Sequence, residues 1–107
     1  MEKRHLQNGN IAGFSYWDGA EAFEHLKIGT ELRLVREENN QFDPYAVAIY
    51  YQEYKLGFIS RNCNHELSKY LDMGYGDIYD VRVNRLNPQA HPEEQVGYII
   101  KIKAREE

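Results

Sequence analysis

Six short apolar runs, most of them alternating, constrain this chain more than any other feature. They are Ile11–Tyr16, Thr30–Val35, Ala46–Tyr51, Tyr54–Ser60, Asp77–Leu86 and Val96–Ala104. Alternation puts every second side chain on one face, so each run predicts a strand with one side turned to a core. None approaches the ~18 apolar residues of a membrane-crossing helix. Two segments carry helical spacing instead. Asp18 with Glu21 three residues on matches an acidic capping box, Ala22, Phe23 and Leu26 share one face, and Gly29 closes the segment. Asn62 or Asn64 heads a second helix running to about Met73, with Leu67, Tyr70 and Leu71 as its apolar face and Gly74 as its cap. About six strands and two short helices make a mainly β, α+β pattern. Closing so short an antiparallel sheet into a small barrel removes its exposed edges, and a helix inserted late makes the barrel OB-like. A flat sheet covered by the two helices is the alternative.

A chain of 107 residues is one domain and buries about 60–65% of its unfolded surface. Residues 1–8 are polar and charged and read as a flexible N-terminus, residues 9–104 as the domain, and residues 105–107 as a charged tail. The formal net charge of −4 argues against sequence-blind binding of long duplex nucleic acid, which leaves a basic footprint. It leaves room for a small site that grips one or two phosphates. The single cysteine, Cys63, excludes an intrachain disulfide and a multi-cysteine zinc site. His5, His25, His65 and His91 are scattered, so neither a metal nor a cofactor is expected. The first residues lack the apolar core of a signal peptide, which with the absence of an apolar span predicts a soluble, cytoplasmic protein.

Between the second and third strands lies the polar loop Arg36–Tyr45, reading R-E-E-N-N-Q-F-D-P-Y. Two adjacent asparagines tolerate left-handed backbone angles, and Asp before Pro initiates a turn. The loop therefore reads as shaped rather than merely connecting. It gathers amides, an aromatic face, a carboxylate and a guanidinium, which are the groups a protein uses to read an unstacked nucleotide.

Three segments together carry a family likeness. Ala12–Gly19 (AGFSYWDG), Leu34–Val47 (LVREENNQFDPYAV) and Lys55–Ser60 (KLGFIS), in that order, resemble the HIRAN domain. The resemblance covers most of residues 11–73 and implies a modified OB-like barrel. It further implies a non-catalytic module that binds single-stranded DNA and recognises its free 3′ end in DNA repair or processing, with a helicase/ATPase or other repair protein as a further partner. Nothing here resembles a Walker A loop.

By that resemblance Tyr16 and Phe42 stack on bases, with Trp17 and Phe58 beside them. Each of these aromatics could equally pack in the core. Asp43 would accept a hydrogen bond from a terminal 3′-hydroxyl while repelling a 3′-phosphate; its other role is to cap the turn. Asn39 and Asn40 offer amides to the ligand or to the loop's own backbone, and Asn40 is the stronger candidate for the ligand. Arg36 and Arg61 are the nearest cations for phosphate, with Arg36 equally placed to pair with Glu37 or Asp43. Ser15 stands where a DNA-binding relative carries Arg, and Glu38 where Pro is commoner, so any affinity should be modest and salt-sensitive.

Three other readings compete. Cys63 with a distant histidine would be a nucleophile and base, but a lone cysteine at a helix start is more often inert packing. Glu37, Glu38 and Asp43 would need a third converging ligand to hold Mg²⁺. A peptide-interaction module on the same OB-like fold, with DNA binding lost, is the main alternative.

Overall fold

The computed structural model describes residues 2–105. Six strands form one antiparallel sheet: β1 (Lys3–Asn10), β2 (Glu31–Arg36), β3 (Val47–Tyr51), β4 (Tyr54–Phe58), β5 (Tyr79–Leu86) and β6 (Val96–Lys103), in the spatial order β1-β6-β5-β2-β3-β4. Helix α1 (Gly19–Ala22) runs on into a 3₁₀ turn at Phe23–His25, and α2 (His65–Asp72) follows β4. Among the described residues no helix is long and apolar enough to cross a membrane.

Strand β2 is where the sheet turns. Its first residues, Glu31 and Leu32, pair with Arg82 and Val81 of β5, whereas Arg33 to Arg36 pair with Tyr50 to Val47 of β3. One strand thus serves two partners along its length and curls the sheet around a single core. Ile11, Phe14, Leu26, Leu32, Ile49, Leu56, Ile59, Leu67, Val81, Val83, Tyr98 and Ile100 fill it.

The curl brings the two ends of the sheet together but does not close them with a strand ladder, which corrects the expectation of a closed barrel. A single bridge joins them. Ala12, just beyond β1, exchanges two backbone hydrogen bonds of 2.9 Å each with Phe58 at the end of β4. The approach is so close that a Cβ on Gly57 would lie 2.3 Å from the Ala12 carbonyl oxygen. Only glycine fits there.

The N-terminus also differs from expectation. Lys3–Asn10 is a full edge strand laid antiparallel on β6, with a bulge between His5 and Gln7, so the stretch expected to be flexible is part of the sheet. The run expected as the first strand, Ile11–Tyr16, is not one. Gly13 takes a left-handed φ of 73° and turns the chain into a 3₁₀ turn at Phe14–Tyr16. The reason lies in the side chains. β1 carries one apolar side chain, the exposed Leu6, and is held by its backbone ladder, whereas Ile11 and Phe14 are core residues just outside the strand. Gly74 closes α2 as expected, with a left-handed φ of 86°, but neither helix has the N-terminal side-chain cap expected of it. The Asp18 carboxylate accepts from the Lys55 backbone N–H at 3.1 Å instead of capping α1. Asn64 does stand at the N-cap of α2, but its side chain turns away to Asp43.

Candidate nucleic-acid interface

The bridge between the sheet ends forms the floor of an open cleft of about 920 Å³. One wall comes from the chain after β1, where Gly13 reverses direction and presents Tyr16 and Trp17. The Gly13 N–H donates to Glu93 Oε2 at 2.8 Å, so the loop between β5 and β6 anchors this turn. The other wall is the β2–β3 loop with the segment after β4. Of the nine expected site residues, Tyr16, Trp17, Asn40, Phe42, Asp43, Phe58 and Arg61 line the cleft. Arg36 and Asn39 do not.

Tyr16 is 80% and Phe42 82% exposed. The alternative of core packing is therefore wrong for both. Burying a large aromatic is worth about 1.5–3 kcal/mol, and the fold forgoes that gain twice at one cleft. Trp17 and Phe58 are half-exposed to half-buried and meet edge to face, with ring centroids 5.8 Å apart at 69°. They form the inner part of the aromatic wall.

The loop is organised by its own polar groups. Asn40 Oδ1 accepts from the backbone N–H of Phe42 (2.8 Å) and of Asp43 (3.0 Å), and its Nδ2 donates to Glu37 Oε1 at 3.2 Å. Both ends of the amide are engaged in building the loop, while Asn40 still lines the cleft and keeps a second Nδ2 hydrogen. Asn39 is exposed in the turn outside the cleft. Asp43 Oδ1 caps the Tyr45 N–H at 2.9 Å, while Oδ2 accepts from Asn64 Nδ2 at 2.8 Å and lies 3.8 Å from Arg61 Nε. Two donors fix the carboxylate, and its side chain stays 15% exposed at the cleft. A carboxylate has about four acceptor directions, so acceptor capacity remains for a third donor.

Arg36 is corrected as a phosphate contact. Its terminal nitrogens donate to the carbonyls of Ala46 (3.1 Å) and Pro44 (2.7 Å), and its Nε lies 2.9 Å from Asp72 Oδ1 without hydrogen-bond alignment. The guanidinium clamps the end of the loop to α2. Arg61, by contrast, is 73% exposed. It donates to the Phe42 carbonyl and leaves most of its fork facing solvent. Among the described residues no group of three His, Cys, Asp or Glu side chains could hold a metal ion.

Several residues that build the site were not legible in the sequence. Glu93 and Asn64 act on the cleft from loops and caps far away in the chain. Lys55 hides inside the β4 run; its signals were a cation interrupting an apolar strand and its place at the head of the third family segment, neither of which gave it a role at the site. Its ammonium lies 3.8 Å from the Trp17 ring centroid, 4.6 Å from that of Phe58 and 2.6 Å from Glu37 Oε2.

A curled antiparallel sheet with exposed aromatics, a fixed carboxylate and a largely exposed guanidinium gathered at its seam defines a small β module with an open cleft at that seam. The chain belongs to the HIRAN domain family, whose model matches residues 5–104. HIRAN domains in general bind nucleic acid. The crystal structure of a protein from Lactobacillus plantarum superposes with a TM-score of 0.79 over 94% of this chain and 95% of that one, at 24% identity. That likeness establishes the fold. A comparison with curated proteins found no match.

Proposed function

We propose that this protein binds single-stranded DNA at the cleft and reads its free 3′ end, as a non-catalytic module in DNA repair or processing. The observation that carries the reading is the pair of solvent-exposed aromatics, Tyr16 and Phe42, on one cleft. An unstacked base gives each ring a partner, at about 1–3 kcal/mol per base and with little regard to sequence. Arg61 supplies a guanidinium for a phosphate near the end. Asp43 supplies a carboxylate whose remaining acceptor capacity suits a terminal hydroxyl and whose charge disfavours a terminal phosphate. A helicase/ATPase or other repair protein would supply any motor activity.

The test compares labelled oligonucleotides ending in a 3′-hydroxyl with the same ones ending in a 3′-phosphate, at low salt. A hydrogen bond to a charged acceptor is worth about 1.5–3 kcal/mol, so the hydroxyl form should bind about tenfold or more tightly. Asp43→Asn should erase that preference. It is a gentle probe, because Asn64 Oδ1 is buried without a partner and a flipped Asn64 amide could accept from the new side chain. Equal binding of both oligonucleotides would remove the end-reading claim. No binding of either would defeat the DNA reading and favour the alternative of a peptide-interaction module.

A further inference from the structure

Lys55 stands between the two walls of the cleft without lining it. Its backbone is pinned to the aromatic wall, donating from N to Asp18 Oδ2 at 3.1 Å and accepting at its carbonyl from the Asp18 N–H at 2.9 Å. Its side chain is only 15% exposed and passes beside Trp17 and Phe58 to reach Glu37. Glu37 uses its other carboxylate oxygen for the Asn40 amide, and Asn40 in turn holds the N–H groups of Phe42 and Asp43. An unbroken series of contacts thus runs from the indole face to the backbone that aims the carboxylate.

We infer that Lys55 is a positioning residue that couples the aromatic wall to the hydroxyl-reading loop, so that what sits against the rings is registered at Asp43. The inference rests on the function proposed above and names the residue that links its two halves. Three features make Lys55 the link. A partly desolvated ammonium on an indole face is held more strongly than one in water. Its pairing with a carboxylate that is itself only 25% exposed loses less to screening than a surface pair. And each partner has a second, independent attachment, so moving one moves the next.

Trp17 is the chain's only tryptophan, which gives the coupling a direct optical readout in the intact protein without ligand. Lys55→Met keeps the apolar stem and removes the charge; Lys55→Arg restores a cation; Glu37→Gln cuts the link beyond Lys55. Lys55→Met and Glu37→Gln should each change the Trp17 emission and each weaken binding of a 3′-hydroxyl oligonucleotide by about 3- to 30-fold, the range of network couplings. The double variant should be no weaker than the worse single one, the preference for hydroxyl over phosphate should shrink in parallel, and Lys55→Arg should recover most of both. Unchanged emission in Glu37→Gln, or losses that add in full, would overturn the inference. If the wild-type protein binds no oligonucleotide, the DNA reading fails by itself. The emission of Glu37→Gln then still decides the coupling: a change supports it and no change overturns it.

Discussion

Tyr16 and Tyr98 mark the two extremes to which this chain puts a tyrosine. Tyr16 stands in solvent on the cleft wall, so Tyr16→Ala should leave stability within about 0.5 kcal/mol while weakening oligonucleotide binding by about 1–3 kcal/mol; urea denaturation and fluorescence anisotropy separate the two effects. Tyr98 is 1% exposed in the core beneath β1 and accepts from Gln7 Nε2 at 3.0 Å. Burial, with Cys63 nearby adding to it, pushes its phenol up from 10.0 to about 12, against the opposing pull of the Gln7 hydrogen bond. A folded-state value above the unfolded one favours the neutral phenol in the native protein. The associated stability is complete below pH 10 and is lost as the pH climbs through 10 to about 12. Circular dichroism should therefore show alkaline unfolding over that window, and Tyr98→Phe should flatten it while costing about 1 kcal/mol at neutral pH for the lost hydrogen bond. Nothing in the sequence distinguished these two tyrosines by composition. The alternation of the last run puts Tyr98 on one face with Val96 and Ile100, and Tyr16 was a candidate ligand contact only through its place in the family motif.

At the scale of elements, the strands with an apolar face were readable to within about two residues, because burial and period coincide there. Strand β1 was not readable, since its contribution is a backbone ladder and its side chains follow no hydrophobic period. The chain after it misled for the opposite reason: Ile11 and Phe14 are buried, yet they pack from a turn. The loop between β2 and β3 was recognised as shaped, but which of its groups build it and which face the cleft depends on contacts with Asn64, Asp72 and Lys55 that no local pattern records. Gly57 is the element-scale test. Its missing Cβ is what permits the bridge to Ala12, so Gly57→Ala should cost about 2–4 kcal/mol, measured as a lower urea midpoint. An unchanged midpoint would mean that the bridge contributes little to the fold.

For the molecule as a whole, the charge balance sets the manner of binding. With a net charge of −4 and Arg61 as the cation lining the cleft, a single strand should lose about one or two counterions on binding. Single strands give a slope of about −0.7 per phosphate, so log K against log salt should fall with a slope between about −0.7 and −1.4. A slope several times steeper would reveal a backbone track outside the cleft. Joining the ends of the sheet by one bridge, where a barrel would use a ladder, has a mechanical consequence. Ala12 and Phe58 are at once the latch of the ring and part of the floor of the cleft. Opening the latch breaks two hydrogen bonds and leaves the ladders on either side intact. The Ala12 and Phe58 amides should then exchange with solvent through a local opening far below the energy of global unfolding, and an occupant of the cleft should slow them both.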